Sequence, residues 1–304
     1  MNRTAASDEI GIFVRVVERG GFAAAAEESG LTPSGVSKAV TRLEDRLGVK
    51  LLQRTTRRLM MTAEGEMLLA RGREILAAIE ATEAEVMAAR GKPKGSIRVS
   101  MGTAYAKHRL APVLPKFREL YPEIDLNISV ADRRVDVIGE QLDVAIRTGA
   151  LADSSLIARQ LGQARRVIAA SPAYLTRHGE PKKASDLADH TCLLITGFAR
   201  LSEWPLKVDG KVTPVSVKPA VLCDNADILA EMALAGLGIV RLASFVIEDA
   251  IADGRLKPLL VDCHVSEPVP ITALMPPGRQ HMPRVRAFID FLLEHAPEPT
   301  GQQS

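Results

Sequence analysis

One stretch of the sequence, LTPSGVSKAVTRLEDRLGVKLLQRTTRRLMMT from Leu31 to Thr62, sets how the beginning of the chain folds. Thr32 is a good N-cap and Pro33 stands at the first helical position, where its missing N–H costs nothing. Gly48 provides the stop. Spacings of four, three and four residues mark a buried side with Val36, Val40, Leu43 and Leu47. We predict a helix from Thr32 to Leu47.

The opposite face of this helix carries short hydroxyls and long cations. Its residues are Ser34, Ser37, Lys38 and Thr41, with Arg42 at the margin. Between Gly35 and Thr62 there are seven bases and two acids, a net charge of +5 in a chain whose total is only +2. A concentrated basic patch favours contact with phosphate, although a solvated helix face is the alternative.

The flanking residues complete a recognisable unit. Upstream, Ile10, Phe13, Val14 and Val17 form one helical stripe, with Ser7 as its predicted N-cap, and an alanine-rich second helix covers residues 22–29. Downstream, we predict two short strands, Lys50–Leu52 and Leu59–Met61, around the basic run QRTTRR. This is a helix-turn-helix with a wing, a unit whose second helix enters the major groove of DNA.

The motifs resemble those of the LysR-type transcriptional regulators. The resemblance is carried by FVRVVE at 13–18, GGFAAAA at 20–26, LTPSGVSK at 31–38, RLE at 42–44, LGVKLL at 47–52, RTTR at 54–57 and TAEG at 62–65. It is dense over about 65 residues and weaker to about residue 295. The family usually has serine at Gly21, serine or threonine at Ala23, and alanine or threonine at Gly35, so individual contacts differ here.

We therefore expect the chain to bind double-stranded promoter or operator DNA. The candidate contacts on the helix, to bases or nearby phosphates, are Thr32, Pro33, Ser34, Ser37, Lys38, Thr41 and Arg42. The candidates in the wing, for phosphate or the minor groove, are Arg54, Thr55, Arg57 and Arg58. We assign residues 1–61 to this winged helix-turn-helix domain.

A long helix is predicted from Thr62, as N-cap, to about Arg90, because the segment is periodic and lacks proline. Its seam follows Leu68, Gly72, Ile75, Ile79, Thr82, Val86 and Ala89. The alternative is a helix packed on its own domain. The resemblance implies a linker that dimerises, at 62–91, and in turn a homodimer and a homotetramer. GKPKG at 91–95 is predicted to break the helix as a hinge.

Beyond Gly95 the sequence alternates between strand and helix patterns, which predicts an α/β fold with a largely parallel sheet. Predicted strands cover 96–100, 125–130, 142–147, 167–170, 192–195, 239–242 and 271–275. Predicted helices cover 104–120, 135–140, 172–178, 226–235, 244–252 and 282–295. The resemblance implies a periplasmic-binding-protein-like effector domain at 92–304, with lobe one at 96–164 and 269–295 and lobe two at 165–268.

A small-molecule effector is expected in the cleft between the lobes, beyond the carboxyl ends of the strands. A helix start attracts anions and an arginine can grip a carboxylate, which favours a small carboxylate. The candidates at strand ends and helix starts are Ser100, Gly102, Thr103, Asp132, Arg147, Thr148, Cys223 and Asn225. Each also has a structural interpretation, as a cap, a loop hydroxyl or an ion pair. Phe198 and Trp204 are candidates for a pocket wall or for the core.

Other classes of protein find little support. Composition is ordinary, and three widely spaced cysteines indicate free thiols in a reducing compartment. We find no signal peptide and no apolar run of 18 residues, so we expect a cytoplasmic protein. No Gly-x-Ser-x-Gly, His-Glu-x-x-His, P-loop or Gly-x-Gly-x-x-Gly motif occurs, so we expect no enzyme, cofactor or metal. A pure solute-binding protein is the rival interpretation, but it leaves the first 62 residues unexplained.

Overall fold

The computed structural model describes residues 3–54, 59–88, 93–133, 135–151, 155–196 and 199–296. These residues form two compact units. One unit extends to Pro93 and includes Ser155–Ile157 and Pro276–Arg286, and the other contains the remaining described chain.

The first unit opens with three helices and a two-stranded wing. The helices are α1 (Arg3–Glu18), α2 (Phe22–Ser29) and α3 (Pro33–Leu47). The wing strands, β1 (Leu52–Arg54) and β2 (Leu59–Met61), pair antiparallel with Leu52 opposite Met61. The fully buried side chains Phe13, Val36 and Leu43 hold the helices together. The predicted helix-turn-helix with a wing is therefore present.

Three details of this unit differ from the sequence prediction. Ser7 is not an N-cap, because α1 begins four residues earlier and the alanines before Ser7 continue the helix. Leu47 is 42% exposed, since it lies on the last turn of α3, beyond the core. Strand β1 covers Leu52–Arg54 rather than Lys50–Leu52, because the residues that pair with β2 are Leu52, Gln53 and Arg54.

Helix α4 (Ala63–Ala88) follows the wing, and its start is held tightly. Thr62 is the predicted N-cap: its Oγ1 accepts the Gly65 amide at 3.0 Å. A Cβ on Gly65 would lie 2.2 Å from the Leu51 carbonyl oxygen, and one on Gly72 would lie 2.9 Å from the Ile10 side chain. Only glycine permits these two close approaches.

The predicted seam of α4 is wrong in its first half. Leu68 packs against the core of its own unit, and Gly72 faces α1. Ile75 and Ile79, by contrast, are 45% and 38% exposed. Thr82 is exposed as well, whereas the side chains of Val86 and Ala89 and the first residues of the predicted hinge lie outside the described residues.

The chain after residue 93 alternates strands and helices. Its strands are β3 (Gly95–Met101), β4 (Ile124–Val130), β5 (Val144–Thr148), β6 (Ile157–Ala170), β7 (Cys192–Ile195), β8 (Glu203–Val208), β9 (Lys211–Ser216), β10 (Pro219–Cys223), β11 (Ile239–Ala243), β12 (Lys257–Pro258) and β13 (Pro268–Met275). Its helices are α5 (Thr103–Tyr105), α6 (Ala111–Leu120), α7 (Pro172–His178), α8 (Ala226–Leu234), α9 (Ser244–Ala252) and α10 (Pro283–His295). A π-helical turn, Ala106–Leu110, joins α5 to α6.

The main sheet has the order β10-β7-β11-β6-β13-β5-β3-β4, with β12 pairing with β6. Strand β3 lies parallel to β4 and β5, and β7 lies parallel to β10 and β11. However, β6 is antiparallel to β11, and β13 is antiparallel to β5. The sheet is thus mixed rather than largely parallel, because these two long strands run against their neighbours.

In this part of the chain, one predicted helix is absent from the described residues and one hairpin was not predicted. The segment 135–140 forms turns instead of a helix, because the Asp136 carboxylate accepts the backbone amides of Ile138 and Gly139. The hairpin of β8 and β9 was not predicted. It contains Trp204, which is 1% exposed and belongs to a core cluster with Tyr174 and Leu206, whereas Phe198 lies outside the described residues.

Candidate functional site

Helix α3 is the element that presents the predicted DNA-contacting residues. Thr32 caps it in extended backbone conformation, with Oγ1 accepting the Gly35 amide at 3.1 Å, and Pro33 occupies the first turn. Gly48 ends the helix in the left-handed region, at φ 72°. Because Val36 and Leu43 are completely buried, the opposite face points away from the core.

That opposite face is polar and accessible. Thr32, Pro33, Ser34, Lys38 and Arg42 are exposed, while Ser37 and Thr41 are half-buried. The Ser34 and Thr32 hydroxyl oxygens are 3.1 Å apart, so these two groups share a hydrogen bond at the helix start. The Thr41 hydroxyl donates to the Ser37 carbonyl at 3.0 Å. It retains lone pairs with which to accept a bond from another molecule.

Acidic side chains already engage part of the basic patch. Glu9 on α1 accepts from Arg42 Nε at 3.1 Å and from Arg46 Nη2 at 3.3 Å. The Arg42 side chain nevertheless remains 61% exposed. Glu9 stands 33 residues before Arg42, so a charge count over 35–62 omits it, and the local positive charge is smaller than that count suggests.

Glu44 joins α3 to the wing. Its carboxylate accepts from Lys50 Nζ at 2.7 Å and from the amides of Leu51 and Leu52 at 2.9 and 3.2 Å. Burial alone raises the pKa of Glu44, but the hydrogen bonds from Lys50 and the two amides outweigh it and hold that pKa below its ordinary value. The side chain of Arg54 and the residues Thr55, Arg57 and Arg58 lie outside the described residues.

Among the predicted effector residues, Ser100 and Arg147 contact each other. Ser100 on β3 is fully buried, and its hydroxyl accepts from Arg147 Nη2 at 3.0 Å. Arg147, on β5, also donates from Nη1 to the Ile146 carbonyl at 2.8 Å. Burial lowers the pKa of the Arg147 guanidinium, and the nearby carboxylate of Asp132 acts in the opposite direction.

A second group forms around the Asp132 carboxylate. It accepts from the Thr103 amide and hydroxyl, both at 2.9 Å, and from Asn225 Nδ2, also at 2.9 Å. A Cβ at Gly102 would lie 3.0 Å from Asp132 Oδ1, which is a tight contact with that carboxylate. Asn225 is also the predicted cap of α8, with Oδ1 accepting the Ile228 amide at 3.0 Å. The helix start predicted to attract an effector carboxylate therefore holds a carboxylate of the protein itself.

Thr148 and Cys223 are not part of either group. Thr148 ends β5 opposite Ile271, and Cys223 ends β10, where its carbonyl accepts the Thr196 amide at 2.9 Å. No side-chain hydrogen bond between described residues joins them to Arg147 or Asp132. Both residues stand at strand ends, as predicted, but strand position alone did not indicate which side chains converge.

Sequence reasoning missed a further charged cluster beside these groups. The π-helical turn presents Lys107 and His108, and both contact Asp227 Oδ1 on α8 at 2.8 Å. The next residue, Arg109, pairs with Glu248 at 2.8 Å. These partners lie about 120 and 139 residues apart in sequence. Three consecutive basic residues at 107–109 were the only available signal.

The described part of the chain contains neither a candidate membrane span nor a candidate metal site. None of its helices is long and apolar enough to cross a membrane. No group of three or more His, Cys, Asp or Glu side chains there is placed to hold a metal ion. Cys192, Cys223 and Cys263 are free thiols, and burial raises the pKa of Cys192 to about 12.

Comparison with known families assigns both parts of the chain. The family model of the bacterial regulatory helix-turn-helix protein, lysR family, matches residues 7–66. The model of the LysR substrate binding domain matches residues 90–297, more than half of the chain.

Individual relatives agree along nearly the whole chain. The HTH-type transcriptional regulator CrgA of Neisseria meningitidis is 38% identical over 288 residues, which cover 95% of this chain and 96% of the relative. The regulator DmlR of Escherichia coli is 31% identical over 299 residues, 98% of this chain and 97% of the relative.

Solved structures show the same likeness. A structure of CrgA from Neisseria meningitidis has a TM-score of 0.64 at 38% identity and covers 94% of this chain and 97% of that one. The full-length structure of the Vibrio cholerae virulence activator AphB has a TM-score of 0.59 at 28% identity, covering 95% and 99%.

Proposed function

This chain belongs to the LysR family of DNA-binding transcriptional regulators, with a substrate-binding effector domain, and from that premise we propose which of its groups meet DNA, the effector and a second copy of the chain. It is a regulator and not an enzyme. The observation that carries the proposal is the capped helix α3, which presents hydroxyls and cations on one accessible face within the region matched by the helix-turn-helix family.

We propose that α3 enters the major groove of promoter or operator DNA. Ser34, Ser37 and Thr41 are assigned to bases or adjacent phosphates, Thr32 and Pro33 to the helix start near the backbone, and Lys38 and Arg42 to phosphate or base edges. Arg54, Thr55, Arg57 and Arg58 are proposed wing contacts. Support comes from the exposure of Lys38, which forms no ion pair with any described residue, and from the accessible hydroxyls beside it.

Fluorescence anisotropy on the DNA upstream of the gene itself, against scrambled DNA over a salt series, tests this assignment. Specific binding predicts a preference of about 10³-fold and a steep salt slope. Lys38→Ala should weaken binding to both DNAs and reduce the slope by about one, and so should Arg57→Ala. Ser34→Ala and Ser37→Ala should instead reduce discrimination between the two DNAs.

Lys211→Ala is the matched control, because Lys211 is an exposed lysine on β9, far along the chain from α3. The DNA affinity and the salt slope of the Lys211→Ala variant should equal those of the wild type. Equal losses on native and scrambled DNA for the serine variants would overturn their assignment to base contacts. No preference and a flat slope for the wild type would leave a two-lobed solute-binding protein.

We propose that α4 pairs with its copy to form a homodimer, and that dimers assemble into a homotetramer. Ile75 and Ile79 are one helical turn apart and both are exposed, and Met67 is 69% exposed on the same helix. Exposed apolar groups repeated along a helix favour burial against a partner. Analytical ultracentrifugation of the double variant Ile75→Asp/Ile79→Asp should show dissociation. Ala70→Asp, at an exposed position on a different face of the same helix, should not. An unchanged assembly in the first variant would place the interface elsewhere.

We propose that a small molecule with a carboxylate binds between lobe one (96–164 and 269–295) and lobe two (165–268). The hydrogen bond from Asn225 to Asp132 joins residues of the two proposed lobes, so closure around a ligand can act on it directly. Arg147, held by Ser100, is the proposed carboxylate-binding cation. Gly102, Thr103, Thr148 and Cys223 are the further proposed contacts of the effector. A ligand that prefers one arrangement of the lobes then shifts the regulator between states.

The anisotropy assay, repeated with a set of small carboxylates, identifies the effector as the compound that changes operator affinity or anisotropy. Thr103→Tyr should abolish that response and leave operator binding intact. Thr213→Tyr, at an exposed threonine on β9, is the control and should respond like the wild type. An unchanged response in Thr103→Tyr would move the effector site elsewhere.

A further inference from the structure

Two arginines lie on the same face of the sheet where β6 pairs with β11. The register sets Arg241 opposite Ile168 and Ala243 opposite Arg166, so Arg166 and Arg241 are diagonal neighbours across the pair. Diagonal neighbours on one face are about 7–8 Å apart. Arg241 is 93% buried, with 7% of its surface exposed, and Arg166 is half-buried. The guanidinium groups of Arg166 and Arg241 therefore lie near each other in a region with little access to solvent.

A histidine completes the cluster but does not neutralise it. Arg241 Nε donates to His264 Nε2 at 3.0 Å. Burial, reinforced by Arg241 and Arg166, lowers the pKa of His264 to about 4. The imidazole is therefore neutral at physiological pH, as an acceptor from an arginine must be. Burial and Arg166 also lower the pKa of Arg241 to about 10, so its guanidinium keeps its charge.

The described residues provide few partners for these charges. Arg241 Nη2 is buried and has no hydrogen-bond partner among them. Among the described residues, Arg166 forms hydrogen bonds only with its backbone. Its amide donates to Ser266 Oγ at 3.0 Å, and its carbonyl accepts from Ser266 Oγ at 2.8 Å. Glu267 is the nearby carboxylate, but it is exposed and forms no ion pair with either arginine in the described chain.

This arrangement is costly without a counter-ion. A buried cation is stable when it is paired with an anion and its N–H groups are satisfied, and leaving one unpaired is strongly unfavourable. A guanidinium binds two oxygens of a carboxylate, sulfate or phosphate with parallel N–H bonds. An oxyanion between Arg166 and Arg241 would accept a hydrogen bond from Arg241 Nη2. A dianion such as sulfate would balance both guanidinium charges, and a carboxylate would balance one of them.

We propose that Arg166 and Arg241 form a binding site for a small oxyanion, separate from the effector groups around Asp132 and Arg147. In the described residues, no hydrogen bond joins the two regions. The oxyanion is either a free inorganic ion or the carboxylate of a small organic ligand, since both present the same oxygens. This site does not depend on the proposed effector cleft.

The sole tryptophan of the chain, Trp204, is the fluorescence probe for this site. Trp204 belongs to the same buried cluster as Ile168, the residue opposite Arg241, and the neighbouring Leu206 forms a backbone bridge with His264. Full-length protein is titrated separately with sulfate, inorganic phosphate and acetate, at constant ionic strength maintained with sodium chloride. Tryptophan fluorescence and equilibrium dialysis with radiolabelled sulfate follow binding.

We expect saturable binding of one oxyanion per chain. Arg166→Met and Arg241→Met should each lower the affinity at least tenfold. Arg255→Met should leave it unchanged, because Arg255 is an exposed arginine already paired with Asp253. Thr103→Tyr should bind the oxyanion like the wild type, so failure of the effector proposal and failure of this one are distinguishable.

The three titrations also identify the source of the oxygens. Binding of sulfate or phosphate without acetate supports an inorganic ion, and binding of acetate supports an organic carboxylate. If Arg241→Met does not fold, Arg166→Met and Arg241→Lys decide, and both should bind more weakly than the wild type. No saturable binding of any of the three anions, or unchanged binding in the arginine variants, would overturn the proposal.

Discussion

The polar groups of the helix-turn-helix and those of the effector domain differ in how far apart they lie in sequence and in whether they bind one another. On α3 the hydroxyls and cations follow one another within ten residues, and several remain accessible to another molecule. Around Asp132 the groups come from positions 29 and 93 residues away, and they bind one another. The polar face of α3 is exposed to another molecule, whereas the polar groups around Asp132 are already hydrogen-bonded to a carboxylate of the protein.

This difference shows why the two kinds of site respond differently to change. The proposed DNA-contacting helix α3 is fixed to the start of the wing, because Glu44 accepts from the backbone amides of Leu51 and Leu52. At the proposed effector site, the Asp132 carboxylate accepts hydrogen bonds from Thr103 that the carboxylate of the proposed effector could accept in its place.

Removing Glu44 should have the largest effect. Glu44→Ala leaves two amides and Lys50 without their acceptor, and the carboxylate it removes is only 5% exposed. We expect a loss of about 3 kcal/mol in the free energy of unfolding of the winged unit, together with loss of DNA binding. Urea unfolding followed by circular dichroism measures it. Asp45→Ala, at the exposed neighbouring acid, should behave like the wild type.

Lowering the pH should gradually remove the stabilisation that the Glu44 carboxylate provides. The pKa of Glu44 is lower in the folded chain than its unfolded value of 4.5, so its stabilising effect is complete above that value. The effect is lost as the pH falls through the folded pKa. The difference in unfolding free energy between wild type and Glu44→Ala should therefore be constant from pH 7 to about 5 and shrink below about 4.5. A constant difference down to pH 3 would contradict this role.

Neutralising Asp132 should tighten effector binding. Asp132→Asn keeps a similar shape but removes the internal negative charge beside Thr103 and Arg147. We expect the affinity for the carboxylate effector to rise about tenfold, equivalent to about 1.4 kcal/mol. Calorimetry measures the change. Asp125→Asn, an exposed acid on β4, controls for net charge, and weaker binding in Asp132→Asn would mean that Asp132 contacts the effector favourably.

The smallest effect is expected from Glu9. Glu9→Gln releases Arg42 and Arg46 from their ion pairs, so both guanidiniums become available to phosphate. We expect DNA affinity to rise a few-fold and the salt slope to steepen by about one. Glu27→Gln, at an exposed acid on α2, removes the same charge without freeing these arginines. Equal behaviour of the two variants would show that Arg42 does not reach DNA.

The sequence predicted best what depends on neighbouring residues. The caps Thr32 and Thr62 and the glycine stop at Gly48 follow from contacts within a few positions. The spacing along α3 also marked its buried side correctly, except for Leu47. The strand ends that carry Thr103, Asp132 and Asn225 were predicted as positions, because the βα alternation is visible in the pattern. Their mutual hydrogen bonds were not, since nothing local encodes a partner 93 residues away.

Other failures have a similar physical origin. The hairpin of β8 and β9 contains Pro205 opposite Pro214, residues that ordinarily disfavour strands but are tolerated in a two-stranded ribbon. The π-helical turn leaves no mark in hydrophobic periodicity, yet it determines which face carries Lys107 and His108. The ion pairs of Glu9 likewise depend on how α1 packs against α3.

Two glycines in the first half of α4 restrict how this helix can lie. Gly65 and Gly72 let this helix lie so close to the wing and to α1 that it cannot rotate about its own axis without a collision. A residue along a helix advances by about 100°, so the direction in which Ile75 and Ile79 point is a fixed phase angle relative to α3. If two copies pair through those isoleucines, the close packing at Gly65 and Gly72 fixes the orientation of each proposed DNA-contacting helix relative to the dimer interface.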